Sequence, residues 1–196
     1  ETVLTALAPW LASSNHPKTL QNAKYDRLIL LRHGIALEGV DLQVFFTPGH
    51  APGHLVFVEP RTQSAIVGDM VAGVGSILVE PEEGDMGQYI DSLRRLASMP
   101  LSVLLPSHGP AIGGAKEKLT EYIEHRLDRE RQVISALEQG PADIETLVDR
   151  VYVDVHPMMK AGPGGGLAGR SLRAHLDKLQ REARAERDSH GVWTYG

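Results

Sequence analysis

The chain contains no cysteine, which excludes disulfides and thiolate ligation and leaves His, Asp and Glu as its strong metal donors. It also lacks an excess of basic charge: 20 Lys and Arg stand against 25 Asp and Glu, for a formal net charge of −5. Division after residue 114 gives 7 basic against 11 acidic residues, then 13 against 14, so neither part is a basic module for nucleic acid. No apolar run approaches the roughly 18 residues that span a bilayer. The opening Glu1 to Ala8 lacks the basic stretch of a secretion signal, so a cytoplasmic location and no membrane partner are expected. The first residue is Glu rather than Met, which is expected to mark a processed, proteolysed or engineered boundary. What is present is a globular composition, 42% hydrophobic over 196 residues, enough for one domain and a smaller second one, together with nine histidines.

Pattern along the chain suggests a sheet followed by helices. A short helix is expected within residues 2–11, ended by Pro9 and the turn residues 13–17. The runs 28–31, 42–46, 54–58, 64–67 and 74–79 are short, apolar and bounded by Gly, Pro or charge, which predicts strands. Asp85 can cap a helix over about 87–98, with Tyr89, Leu93 and Leu96 on one face, before a strand at 102–105. After Gly113-Gly114 a charged amphipathic helix is expected over 115–138, stopped by Gly140-Pro141. A second helix capped by Asp143, a glycine loop at 162–166, a third helix over about 169–187 and a terminal turn into a strand resemble a winged helix.

Three ligand-type residues sit at ends of these strands. His50 lies in Thr47-Pro48-Gly49-His50-Ala51-Pro52-Gly53-His54, a sharp turn that presents an imidazole. Asp69 follows Val67-Gly68, and His108 follows Leu104-Leu105-Pro106-Ser107. Strand ends fixed in one sheet can converge such donors on a metal. Imidazole nitrogen and carboxylate oxygen suit zinc, which lowers the pKa of a bound water to about 7 and so supplies hydroxide for hydrolysis.

In this order the segments resemble the later motifs of the metallo-β-lactamase superfamily, in particular its beta-lactamase-like protein 2 branch of metallohydrolases with a C-terminal winged helix. Further likeness lies in Gly75-Ser76-Ile77-Leu78 with Gly84-Asp85, in His125-Arg126 with Glu130-Arg131-Gln132-Val133-Ile134, and in His175-Leu176-Asp177-Lys178-Leu179. The resemblance implies an α/β (α+β) fold: the C-terminal portion of the αββα sandwich over residues 1–114, then a small winged-helix domain over 115–196. It implies that His50 joins one zinc, Asp69 bridges two, and His108 completes the other, while His54 hydrogen-bonds beside them without binding metal.

The first motif of that superfamily, His-x-His-x-Asp-His, does not occur, and His16 and His33 are lone histidines. Three ligands shared between two ions fall short of the three per ion usual in catalytic zinc sites, so zinc is expected to bind weakly or not at all in this chain alone. The implied activity is hydrolysis of a thioester, lactone or other ester-like small substrate. The alternatives are an RNA phosphodiesterase of the same fold and a non-catalytic winged-helix binding fragment. Against nucleic acid, Lys160, Arg170, Arg173, Lys178, Arg181, Arg184 and Arg187 are interleaved with Asp177, Glu182, Glu186 and Asp188. An apolar face uncovered by a missing N-terminal segment is expected to be covered by that segment or by a homo-oligomer.

Overall fold

The computed structural model describes residues 42–196, so the expected helix at 2–11, the run at 28–31, His16 and His33 lie outside the described residues. Five strands form one sheet in chain order: β1 (Gln43–Phe46), β2 (Leu55–Glu59), β3 (Ser64–Gly68), β4 (Val103–Pro106) and β5 (Ile112–Gly113). The first three pair as an antiparallel meander, β3 and β4 run parallel, and β4 turns back into β5. A parallel pair needs a crossover. Helix α1 (Met86–Ala97) supplies it, its first turn capped by Asp85, whose Oδ1 accepts from the Gln88 N–H at 3.0 Å.

Period-2 alternation in the strands meets a helical stripe. Val56 and Val58, Ala65 and Val67, and Leu104 point into a core that also takes Tyr89, Ile90, Leu93 and Leu96 from α1. Helix α2 (Ala115–Glu138) continues from this core into a second one. Ala115, Leu119 and Tyr122 pack in the first, whereas Val133, Ala136 and Leu137 pack in the second. The second core is completed by α3 (Ile144–Val151), α5 (Gly166–Arg181) and the hairpin of β6 (Ala185–Arg187) with β7 (Trp193–Tyr195), while a short α4 (Pro157–Lys160) between α3 and α5 buries none of its residues. Arg170 and Arg181 on α5 pair with Glu80 and Asp85 at 2.6 and 3.1 Å, so this helix also grips the sheet-bearing part.

Two expectations are corrected. Residues 74–79 are not a strand, because side chains rather than a neighbouring strand satisfy the carbonyls of the segment. The Tyr122 hydroxyl donates to Gly75 O at 2.9 Å, Arg126 donates to Ile77 O, and His50 Nδ1 lies 3.1 Å from Leu78 O. The last helix is not 169–187 but Gly166–Arg181. Ala183 reverses the chain with a φ of 55°, and Ala185–Arg187 leaves to pair with Trp193–Tyr195.

His175 lies fully buried on α5, with neither ring nitrogen hydrogen-bonded among the described residues. Burial pushes its pKa down to about 3, aided by Arg126, Arg129, Lys178 and His125. The unfolded chain protonates this ring near the ordinary 6.5, so the unfolded state binds the extra proton first. Stability from the neutral ring is therefore complete above pH 6.5 and drains away as pH falls towards 3. Urea unfolding at pH 7 and pH 5 should show a loss of roughly 2 kcal/mol from this group, and His175→Leu should remove that difference. An equal loss in both proteins would contradict the assignment.

Candidate metal centre

The turn between β1 and β2 is pinned from two sides. The Thr47 N–H donates to His54 O at 3.0 Å and the His54 N–H to Ala51 O at 3.2 Å, which closes the hairpin. Helix α1 holds the apex: Ser92 Oγ donates to Pro48 O, and the Asp85 N–H to Gly49 O, both at 2.8 Å. Gly49 has a φ of 130°, and a Cβ there would lie 2.2 Å from the Tyr89 backbone nitrogen, so only glycine lets the turn approach the helix this closely.

That turn fixes the His50 ring. A carbonyl can only accept, so Nδ1 carries the proton that meets Leu78 O at 3.1 Å, and Nε2 keeps its lone pair. Nε2 lies 3.7 Å from Asp69 Oδ2. His54 is held in the same tautomer for a different reason. Its Nε2 accepts the Asp69 backbone N–H at 3.2 Å, so Nδ1 donates to Thr47 Oγ1 at 2.8 Å. His54 thus spends its free nitrogen on the Asp69 backbone. Gly68, with a φ of 54°, makes room, since a Cβ there would sit 2.8 Å from His54 Nε2.

Asp69 leaves the end of β3, and the next residues are tied down beside it. The Tyr89 hydroxyl, kept neutral by burial that pushes it up to about 12, donates to Met70 O at 2.7 Å. His108 follows β4 beside the same strand end: the Ser107 N–H donates to Gly68 O at 3.0 Å and the Gly73 N–H to His108 O at 2.8 Å. His108 Nε2 lies 3.5 Å from Asp69 Oδ1, an oxygen with no hydrogen-bond donor among the described residues.

The three residues singled out in the sequence are therefore brought together, with Asp69 in the middle and one imidazole facing each carboxylate oxygen. Two donors on a tetrahedral zinc with bonds of about 2.0–2.1 Å are about 3.4 Å apart, close to the separations of 3.5 and 3.7 Å here. Among the described residues, no group of three or more His, Asp or Glu side chains is arranged to hold a metal ion by itself. His50 and Asp69 are 28% and 30% exposed and His108 74%, so the arrangement opens to solvent. Thr47, Ser92 and the Leu78 carbonyl were not singled out by sequence, because their partners lie 7, 44 and 28 residues away.

Comparison with known proteins assigns a family to each part of the chain. The model of the metallo-beta-lactamase superfamily matches residues 5–108, and that of the beta-lactamase associated winged helix domain matches 144–193. The chain belongs to the metallo-beta-lactamase superfamily. It is 37% identical over 125 residues to lactamase-like protein nscB of Arthroderma benhamiae, covering 63% of this chain and 26% of that protein. It is 33% identical over 121 residues to the beta-lactamase-like protein 2 homolog of Caenorhabditis elegans, covering 61% and 40%. A beta-lactamase domain protein from Burkholderia ambifaria superposes with a TM-score of 0.71 at 22% identity, over 83% of this chain and 50% of that one, which supports the fold. The chain thus spans between a quarter and two fifths of the length of these curated relatives.

Proposed function

We propose that His50, Asp69 and His108 are ligands of a zinc centre, Asp69 bridging two positions, in a hydrolase that acts on a thioester, lactone or other ester-like small substrate. The observation that carries this reading is the Asp69 carboxylate, with a different imidazole nitrogen beside each oxygen and, among the described residues, no competing donor on Oδ1. The donor set is imidazole and carboxylate without thiolate, which suits zinc. When bound, zinc supplies a hydroxide nucleophile at neutral pH and polarises the acyl oxygen. The protein's own work is positional. Leu78 O holds the His50 ring so that Nε2 faces Asp69, and His54 fixes the Asp69 backbone while Thr47 fixes His54.

Charge favours a small substrate over nucleic acid. Lys160, Arg170, Arg173, Lys178, Arg181 and Arg184 each pair with a carboxylate, so the helix that a winged helix lays in a groove has little free positive charge to offer phosphates. Zinc titration of this chain tests the reading. Weak binding is expected, lost in His50→Ala and in His108→Ala, because three protein ligands shared by two positions give each ion only two. Zinc binding that His50→Ala and His108→Ala leave unchanged would contradict the reading, and two tightly held zinc ions per chain would contradict the expectation of weak binding.

A further inference from the structure

A cavity of about 370 Å³ lies where the segment 76–78 meets α2, the loop after α3 and the start of α5. Its size is that of a small-molecule site. Arg126 and Arg129 form its cationic wall, with His125 kept neutral beside them by burial and by the two guanidiniums, and no Asp or Glu among the described residues lines it. Arg126 is 3% exposed, donates to Ile77 O and lies 5.4 Å from the Tyr89 ring centroid, yet its Nε has no hydrogen-bond partner among the described residues. Arg129 donates to Val151 O at 2.9 Å and to Gln132 Oε1 at 2.8 Å, and stacks 4.1 Å over Tyr152. The rest of the lining is largely apolar, with Met159 and Leu167, 41% and 38% exposed, among it.

This absence of acids is selective. Acidic residues outnumber basic ones in the chain, and the basic side chains of α5 from Arg170 to Arg181 all have carboxylate partners. A buried guanidinium without a counter-charge is costly, and carbonyl and aromatic contacts offset only part of that cost. A carboxylate or phosphate offers the planar or multi-oxygen acceptor that a guanidinium fits best.

We propose that this cavity binds an amphipathic small-molecule anion, a carboxylate or phosphate monoester on an apolar chain. Arg126 and Arg129 take the head group, and Leu78, Met159 and Leu167 cover the chain. Leu78 also holds His50 through its carbonyl, so the ligand lies against the segment that orients the candidate centre. The site needs no metal and stands or falls apart from the zinc reading.

Calorimetric titration of the EDTA-treated 196-residue chain with octanoate, octyl phosphate, 1-octanol and inorganic phosphate tests this. Both amphipathic anions should bind at least about tenfold more tightly than 1-octanol or inorganic phosphate. The tighter of the two identifies the head group, and either order supports the site. Arg129→Gln and Leu167→Glu should each weaken octanoate by about tenfold, whereas Arg131→Gln, whose side chain pairs with exposed Asp128, should not. Arg126→Gln should weaken it further; if burial makes that variant fail to fold, Arg129→Gln decides. The proposal is overturned if 1-octanol matches octanoate, if inorganic phosphate matches octyl phosphate, or if Arg129→Gln leaves binding unchanged.

Discussion

On the proposed reading, replacing Asp69 with Ala in the intact protein should lower turnover of an ester-like substrate on the order of 10³-fold or more, with the fold retained. In the proposed centre this carboxylate would serve both metal positions at once, and losing several kcal/mol of metal-dependent transition-state stabilisation corresponds to that factor. The fold should survive because the side chain is 30% exposed and its Oδ1 makes no hydrogen bond among the described residues. The backbone N–H that His54 accepts remains in the variant. Asp69→Asn separates charge from shape: it keeps the size of the side chain but loses the anionic oxygens, and should fall nearly as far. Zinc affinity measured beside turnover distinguishes a lost ligand from a lost fold. Full turnover by Asp69→Ala would remove the residue from the centre.

Gly49→Ala should cost at least about 3 kcal/mol of stability, a fall in Tm of roughly 6–12 °C for a chain of this size. Two effects add. The φ of 130° is strained for any L side chain, and the new methyl would meet the Tyr89 nitrogen at 2.2 Å and its Cα at 2.3 Å. Those are backbone atoms of α1, which cannot swing aside as a long side chain can. Relief requires the turn to lift from the helix, which breaks the Asp85 N–H to Gly49 O bond and displaces His50. Gly53→Ala is the control, since a Cβ there meets nothing within 4 Å among the described residues. Equal melting temperatures for the two variants would show that the turn is not clamped.

The sequence made the site's components legible where chemistry is local. Pro48-Gly49-His50, Gly68-Asp69 and Ser107-His108-Gly109 each mark a strand end with a donor after it, and the structure gathers the three around Asp69. Helix α2 was equally readable, since Gly113-Gly114 and Gly140-Pro141 bound it on either side. The failure at 74–79 has the opposite cause. An apolar run reads as a strand, but its carbonyls are claimed by Tyr122 and Arg126, 47 and 49 residues further on, and nothing local signals that. The same distance hid the cavity: Arg126 looks like one more charge on a solvated helix until the fold buries it against Tyr89 and Ile77. The end of α5 was overrun because Glu182-Ala183-Arg184-Ala185-Glu186 has good helix formers, and pairing with Trp193–Tyr195 overrides that propensity.

The direct test is a zinc titration of this chain labelled with ¹⁵N in its imidazole rings, followed by NMR to saturating metal. The ring nitrogens of His50 and His108 should move at Nε2, His50 keeping its proton on Nδ1 towards Leu78 O, while His54 stays in the Nδ1–H tautomer throughout. Rings of His50 and His108 that do not respond to zinc, or a His54 Nε2 that binds it, would contradict a centre built around Asp69.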